Sequence, residues 1–237
     1  MSIIEIAGIE VKVTKKNIRN IHLAVYPPEG KVTLACPETT QDETIRLYLT
    51  SKIGWIRRQR KVLEEKERQS PREYVSRETH YFLGKAYLLK VIPTEGPYAV
   101  DVGKKFIVMH VHPKTSKARR EELMRERYRA ELKKLLTGII VKWEKKMELR
   151  LDDWQVRQMK TKWGSCNPKK KRILLNLELA KKPVHCIEYI VVHELVHLLE
   201  RTHNEHFVAL MDRYLPNWKR LRDELNKLPV SHVEWGY

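Results

Sequence analysis

The sequence predicts an α+β fold with an N-terminal, mainly antiparallel β region that includes one helix, a long connecting helix, and a final region of strands and two helices. Short runs of alternating polar and apolar residues dominate the first 110 residues, a charged amphipathic segment follows, and the last part holds two helix-like segments with several histidines. We therefore expect three regions, at 1–112, 113–150 and 151–237. No internal sequence repeat is visible.

The N-terminal region carries a hairpin signal. Two apolar runs, 18–25 and 32–36, flank the Pro-Pro-Glu-Gly sequence at 27–30, which is typical of a turn. Residues 41 to about 68 then place apolar side chains at helical spacing and charged side chains on the opposite face. This segment predicts an amphipathic helix after the hairpin.

Strands are expected again further along the chain, at 81–92 and, around Gly103, at 98–111. Residues 114–148 have the pattern of a long amphipathic helix that is interrupted at Gly138. We expect this helix to connect the N-terminal sheet to the last region.

The last region has a simple expected order. A strand at 154–159, a loop at 161–168 and a strand at 172–177 come before the two histidine-bearing helices. The edge of such a sheet, beside a helix with catalytic residues, can hold an extended peptide by backbone pairing.

An H-E-x-x-H sequence is the most informative motif in the chain. His193 and His197 are four residues apart, so they lie on one face of a helix, and Glu194 is placed to reach a metal-bound water. The surrounding residues are apolar, and burying these groups without a partner would cost several kcal/mol. The motif predicts a metal site on a helix from about residue 183 to 200, with Pro183 in its first turn.

A third ligand is expected after this helix. Catalytic zinc usually takes three protein ligands and one water, whose pKa falls to about 7. His203 lies past the helix end, and Asn204 is a suitable cap for a second helix, so the chain can turn back toward the metal. His206 is the competing candidate. We favour His203, with Zn²⁺ or another divalent metal as the cofactor.

Residues before the motif are candidates for substrate contacts. Lys160, Lys162 and Arg157 could stabilise an oxyanion or a phosphate, or could be exposed strand charges. Trp163 could form a wall of the substrate cleft or anchor its loop to the core. Cys166 could ligate the metal, although a buried structural thiol is the commoner case, and we expect the more distant Cys186 to fill the core.

Composition limits the class of protein. The net charge is +17 and the isoelectric point is about 9.8, so the surface attracts anions, including nucleic acids and nucleotides. Much of this charge falls on predicted helix faces, whereas 169–172 is expected at a hairpin turn, as a solubilising turn or an anion contact. Three scattered cysteines exclude a disulfide framework. With no membrane-length apolar run and no signal-peptide pattern, we expect a cytoplasmic protein and no membrane partner.

Four ordered motifs resemble the YgjP-like family. They are the segments 159–167, 173–179, 189–197 and 203–207. The resemblance extends over the whole chain, since Pro37, Trp55-Ile56 and Leu83-Gly84-Lys85 also fall where the family has comparable segments.

The resemblance implies a metal-dependent hydrolase grouped with the zincin metallopeptidases and similar around the metal to SprT-like proteases. His193, His197 and His203 would be the zinc ligands, and Glu194 would be the catalytic acid/base. Asn204 and Val208 replace the Ser and Trp that the family tends to show near the third ligand, and neither change removes a ligand.

Three functions fit these residues. In a metallopeptidase, Glu194 would take a proton from metal-activated water and return it to the leaving amine. In a nucleoside triphosphate pyrophosphohydrolase acting on UTP or a similar nucleotide, an activity associated with YgjP-like proteins, Lys160, Lys162 and the 169–172 cluster would balance the phosphate charge. In a zinc-containing nucleic-acid-binding protein without catalysis, the metal would be structural, but an intact Glu194 argues against this. The resemblance favours the peptidase, with a peptide as substrate; the basic charge mildly favours the nucleotide.

Overall fold

A computed structural model describes residues 2–26, 30–65, 72–159 and 162–228, of which 62–65 are described by their backbone alone. The chain forms two compact units, one containing the described residues up to Glu65 and the other running from Arg72 to Leu228. The α+β class is as expected. The boundary differs from the expected one near residue 112, because the strands before that point share a hydrophobic core with the histidine-bearing helices.

The first unit is a four-stranded sheet with one helix. The strands are β1 (Ser2–Ile6), β2 (Ile9–Lys16), β3 (His22–Tyr26) and β4 (Lys31–Pro37), followed by α1 (Asp42–Glu65). The sheet order is β1-β2-β4-β3, in which β2 and β4 are parallel and the other pairs are antiparallel.

The predicted hairpin and helix of this unit are both present. β3 and β4 pair antiparallel, although the turn residues 27–29 between them lie outside the described residues. The predicted helix end near 68 also lies outside them. Alternate residues of β2 and β4 face the apolar side of α1 and form a separate core that includes Val11, Val13, Leu34, Ile45 and Leu49.

The second unit begins with a sheet of the same topology. Its strands are β5 (Thr79–Phe82), β6 (Lys85–Pro93), β7 (Ala99–Val102) and β8 (Phe106–Val111). The order is β5-β6-β8-β7, again with one parallel pair, β6 with β8, between two antiparallel pairs. The two sheets are thus a structural repeat that the sequence does not reveal, and in each case a long helix follows the fourth strand.

The long helix α2 (Lys117–Met147) belongs to the core of the second unit. Ser116 caps it by accepting a hydrogen bond from the backbone N–H of Arg119. The predicted interruption at Gly138 was wrong, since the helix continues through it. Glycine in a helix costs about 1 kcal/mol relative to alanine, whereas burying each large apolar side chain contributes about 1.5–3 kcal/mol. The neighbours Leu136, Ile139 and Ile140 are buried.

The rest of the second unit consists of three strands and three helices. These are β9 (Asp153–Arg157), β10 (Gly164–Asn167), β11 (Arg172–Asn176), α3 (Val184–Val196), α4 (Glu205–Tyr214) and α5 (Trp218–Lys227). The sheet order is β10-β11-β9, with β11 antiparallel to β10 and parallel to β9. β10 is therefore an edge strand of this sheet, and it lies beside α3.

Three expectations for this region need correction. The predicted loop 161–168 contains β10, because its residues pair with β11. The histidine helix ends at Val196 rather than near Glu200, where the chain tightens into a turn. Pro183 is the residue before the helix rather than part of its first turn. None of the described helices is long and apolar enough to cross a membrane.

The turn between β5 and β6 fixes the start of α3. The backbone N–H of Leu83 donates to the Ala180 carbonyl at 2.8 Å, and that of Gly84 donates to the Lys181 carbonyl at 3.3 Å. Gly84 has a φ of +80°, and a Cβ there would lie 2.7 Å from Cγ of Pro183. Only glycine therefore fits between this turn and the residue that precedes α3.

We expect Gly84→Ala to lower the free energy of unfolding of the second unit by about 2–4 kcal/mol, because it adds both backbone strain and an overlap with Pro183. Urea denaturation followed by tryptophan fluorescence would measure this. Gly138→Ala is the matched control, since a Cβ at Gly138 meets no atom within 4 Å, and it should be neutral or slightly stabilising. Equal stability of Gly84→Ala and the wild type would contradict the proposed fit.

Candidate active site

A tight turn after α3 brings the third histidine back to the first two. The backbone N–H groups of Leu198 and Leu199 donate to carbonyls only three residues back, those of Leu195 at 3.0 Å and Val196 at 2.9 Å, so the chain leaves the α-helical path. α4 then begins at its cap Asn204, whose side chain accepts a hydrogen bond from Phe207 N–H at 2.9 Å. His203 lies directly before this cap and so faces α3.

The structure brings His193, His197 and His203 into one cluster. Each offers a ring nitrogen, and these nitrogens lie within 4.8 Å of one another. The Nε2 atoms of His193 and His203 are 3.1 Å apart. Nδ1 of His197 donates to the Glu200 carbonyl at 3.0 Å, which leaves its Nε2 free to ligate. Phe207, which is 2% exposed, packs against all three rings at centroid distances of 4.7–5.0 Å.

The cluster fits a divalent metal. Two ring nitrogens 3.1 Å apart are joined favourably by a shared proton or a cation, and zinc–nitrogen bonds of about 2.0–2.1 Å in tetrahedral geometry imply a nitrogen–nitrogen separation of roughly 3.3 Å. Burial, followed by the nearby His197 and His203, lowers the pKa of His193 to about 4, and burial lowers the pKa of His197. Both rings are therefore neutral at ordinary pH, as a metal ligand must be.

His206 lies outside this cluster. Its Nδ1 is 3.3 Å from Oε2 of Glu200. The same carboxylate accepts hydrogen bonds from the backbone N–H and the hydroxyl of Thr202, and these bonds lower the pKa of Glu200 to about 2. Glu200 thus holds the loop that carries His203 mainly through Thr202, and the ring of His206 makes a longer contact with the same carboxylate.

Glu194 is buried beside the histidines, with 5% of its surface exposed. Burial raises its pKa to about 8, although the nearby charge of Lys162 opposes this shift. A group with this pKa can both accept and donate a proton near neutral pH, as an acid/base must.

The burial of Glu194 predicts a pH-dependent stability of the metal-free protein. An unfolded glutamate ionises near pH 4.5, whereas the folded one stays protonated until about pH 8, so unfolding releases a proton between these values. We expect Glu194 to lower the free energy of unfolding by on the order of 5 kcal/mol as pH rises through this range.

The variant Glu194→Gln cannot titrate, so its stability advantage over the wild type should grow from pH 4.5 to pH 8 and then level off. Denaturation in the presence of a chelator would measure the difference at each pH. A difference that does not change with pH would show that the carboxyl group titrates normally.

Gly164 leaves the space that the Glu194 side chain occupies. A Cβ at this first residue of β10 would lie 2.5 Å from Oε1 of Glu194 and 2.7 Å from its Cγ. Any larger residue at this position must therefore displace the carboxyl group.

We expect Gly164→Ala to lower the rate of hydrolysis by about 10–100-fold with little change in bound metal, because it moves the acid/base and leaves the three histidines in place. Steady-state rates together with metal analysis would test this. Gly54→Ala, where a Cβ meets no atom within 4 Å, serves as the control. Full activity of Gly164→Ala would mean that the position of Glu194 is not critical.

A cavity of about 900 Å³ opens in front of the histidines and Glu194. It is lined by the loop before β10, by β10 and the turn after it, by α3, and by the loop that carries His203. The other lining residues are Lys162, Trp163, Gly164, Ser165, Cys166, Asn167, Pro168, Lys169, Tyr189, Ile190, Leu198, Leu199 and Arg201.

Only some of the residues predicted to contact the substrate line the cavity. Lys162 and Trp163 both line the cavity, and Nζ of Lys182 lies 5.3 Å from the Trp163 ring centre. Lys160 lies outside the described residues. Arg157 does not line the cavity, and its Nε donates to Gln155 at 3.1 Å, so the expectation of an anion contact there is not supported.

Neither Cys166, the candidate ligand, nor Cys186, the expected core residue, is part of the histidine cluster. Cys166 lines the cavity, but burial and the neighbouring Glu194 raise its thiol pKa to about 12, which favours a protonated structural thiol. Cys186 is fully buried in the core, as expected, and burial raises its thiol pKa to about 11.

The 169–172 cluster is divided by the fold. Lys169 lines the cavity, whereas Arg172 lies 3.9 Å from Asp153 on the neighbouring strand. The side chains of Lys170 and Lys171 do not line the cavity.

Sequence reasoning missed several residues of the site. Tyr189 packs edge-on against His193 at 5.9 Å, and its spacing of four residues before His193 was the available signal. Asn176 is 3% exposed and anchors the loop before β10, since its amide donates to the carbonyls of Met159 at 2.9 Å and Lys162 at 2.8 Å. Gly164 and Arg201 gave no local signal, because their roles depend on contacts between distant segments.

A family model for the YgjP-like metallopeptidase domain matches residues 19–228. The chain belongs to the YgjP-like family. This membership makes it a metal-dependent, peptidase-like hydrolase and implies a divalent metal.

Comparisons with curated proteins and with solved structures add little to this assignment. A search of curated proteins found no match. A solved structure of the metallopeptidase zymogen abylysin from Pyrococcus abyssi is similar over part of this YgjP-like chain, with 19% identity, a TM-score of 0.35, and coverage of 38% of this chain and 90% of that one.

Proposed function

We propose that this YgjP-like protein is a zinc-dependent metallopeptidase that cleaves extended polypeptides. The observation that carries the proposal is the placement of three convergent histidines and the buried Glu194 beside the edge strand β10 in one cavity. His193, His197 and His203 would hold the metal. Three imidazole nitrogens suit zinc and leave one position open, as in catalytic sites.

When bound, the metal would polarise the scissile carbonyl and lower the pKa of the attacking water. Glu194 takes the proton from that water and passes it to the leaving amine. Gly164 leaves the space that the Glu194 carboxyl group needs, and Phe207 packs against the three imidazole rings. His197 keeps its orientation through its hydrogen bond to the Glu200 carbonyl.

The edge strand supports a peptide as the substrate. β10 pairs with β11 on one side, and among the described strands nothing pairs with its other side. An extended chain can add to that edge through backbone hydrogen bonds, which places its carbonyls along β10. Ile190, Leu198 and Leu199 supply apolar surface for its side chains.

A nucleoside triphosphate pyrophosphohydrolase is the second candidate function. Lys162, Lys169 and Arg201 line the same cavity and would balance phosphate charge. This candidate leaves the free edge of β10 and the apolar lining without a role. A nucleic-acid-binding protein with a structural metal has less support, since a buried Glu194 beside the cluster serves no purpose there.

The experiment that tests the proposal compares two substrate classes. Zinc-loaded wild type would be incubated with unfolded proteins and, separately, with UTP and other nucleoside triphosphates, each beside Glu194→Gln. We expect new peptide termini, found by mass spectrometry, only with wild type. Glu194-dependent release of pyrophosphate or phosphate, without peptide cleavage, would replace the proposal with the nucleotide hydrolase.

We further propose that the protein works in the cytoplasm. Cys36, Cys166 and Cys186 are all free thiols, which suits a reducing compartment.

A further inference from the structure

We propose that the cavity selects polypeptides with acidic residues next to the scissile bond, through Lys169 and Arg201. This inference rests on the proposed peptidase function and concerns its substrate preference. Three observations support it. The positive charges of the cavity lie on separate segments, their side chains have no ion-pair or hydrogen-bond partner among the described residues, and few acidic residues line the cavity.

The cationic residues of the cavity come from three separate segments. Lys162 lies in the loop before β10, Lys169 in the turn between β10 and β11, and Arg201 in the loop after α3. A solvated helix face would instead carry its charges on one element. The two walls of the cavity, β10 with its turn and α3 with its following loop, therefore each contribute positive charge near the histidines.

These cations are available to a ligand. Among the described residues, the side chains of Lys162, Lys169 and Arg201 have no ion-pair or hydrogen-bond partner; the hydrogen bond from Asn176 goes to the backbone carbonyl of Lys162. In contrast, Arg172, the first residue of β11, has a guanidinium nitrogen 3.9 Å from a carboxylate oxygen of Asp153. Lys169 and Arg201 are exposed, so that their charges act on whatever occupies the cavity.

Negative charge is scarce in the cavity. Glu194 is the one acidic residue among its described lining residues, and it is buried at the back beside the histidines. A peptide with lysine or arginine around the scissile bond would thus meet like charges on both walls, whereas aspartate or glutamate would meet opposite charges. Discrimination of this kind combines attraction and repulsion.

The apolar lining and the free edge of β10 favour an acidic peptide over a nucleotide. Leu199, which is 41% exposed, lines the same cavity as Leu198 and Ile190, and these residues offer contact area for side chains of an extended chain. Both kinds of ligand would use the same cations, so the experiment must include both.

The test is a specificity profile from a mixture of short unstructured peptides in which acidic, basic and neutral residues are equally frequent. Zinc-loaded wild type is expected to cleave bonds flanked by Asp or Glu about fivefold more often than bonds flanked by Lys or Arg, as exposed charge pairs contribute up to about 1 kcal/mol. The preference should fall as salt is added, because the screening length is about 8 Å at physiological ionic strength.

Charge reversal identifies the residues responsible. Lys169→Glu combined with Arg201→Glu should reverse the preference toward Lys and Arg. The control, Lys170→Glu combined with Arg213→Glu, changes the net charge equally at two exposed positions outside the cavity lining, and it should keep the wild-type profile. Lys162 stays unchanged in both, because its charge affects the pKa of Glu194.

The outcomes separate this inference from the function on which it rests. Cleavage by wild type without acidic preference, or a preference that the charge reversal leaves intact, overturns the inference and leaves the peptidase standing. Absence of cleavage of any peptide, with Glu194-dependent hydrolysis of nucleoside triphosphates, overturns both.

Discussion

Glu194→Gln is expected to abolish hydrolysis while the protein keeps its metal. The amide has the shape of the carboxyl group but cannot accept a proton from water, and general-base catalysis contributes roughly 10²–10⁴-fold to a rate. The ligand atoms of the metal site come from the three clustered histidines, so changing Glu194 removes no ligand. Turnover of the accepted substrate and zinc content per chain would be measured on the same preparations.

This expectation depends on the local packing. The glutamine side chain fits the space that Gly164 leaves, so the fold around β10 and α3 should not change. A variant that retained full turnover would rule out Glu194 as the acid/base for that reaction. Loss of zinc together with activity would instead indicate that Glu194 helps to bind the metal.

His203→Ala is expected to lose most of its bound zinc. Outer-shell partners of a metal already contribute about 10–100-fold to affinity, so removal of a ligand should weaken binding by at least about a hundredfold. His203 is exposed and lies outside the helices, and its loss should leave the fold intact. Metal titration with a competing chelator would measure the affinity.

His206→Ala is the matched control for this prediction. His206 is three residues from His203 and also exposed, but its ring faces Glu200 rather than the cluster. We expect its zinc affinity to remain within a few-fold of the wild type. Unchanged affinity in His203→Ala with loss in His206→Ala would reverse the assignment of the third ligand.

The H-E-x-x-H segment shows how far local sequence can predict a site. Helical spacing alone places His193 and His197 on one face, because the period of the helix is a local property. The polar residues within an apolar run required a partner for burial, which indicated a metal. His203 was predictable because Asn204 marks the start of the next helix.

Other parts of the site depend on contacts between distant segments. Gly164 and Glu194 are far apart in sequence, and only the packing of β10 against α3 gives the glycine its role. The segment containing β10 was expected to be a loop, since four residues rich in Gly, Ser and Asn form a strand only when β11 supplies the partner. Arg201 became part of the cavity because α3 ends early.

The boundary between the two units also depends on contacts between distant segments, which the sequence does not reveal. Amphipathic patterns show which side of a helix is buried, but they do not show against which sheet it packs. The prediction placed the long helix between two regions, whereas α2 packs in the core of the second unit with β7 and β9. The shared topology of the two sheets was also invisible, because a topology can recur without any repeat in sequence.

By itself, the sequence determined the secondary structure of the strongly periodic segments, the placement of His193 and Glu194 on one helix with His197 directly after its last residue, and the family to which the chain belongs. These depend on residues within a few turns of each other. The tertiary structure alone decided that His206 faces Glu200, that Gly164 gives Glu194 its space, and that Lys169 and Arg201 line the same cavity. The physical reason is that burial and charge at a site are set by all the segments that meet there, and local propensities do not specify which segments meet.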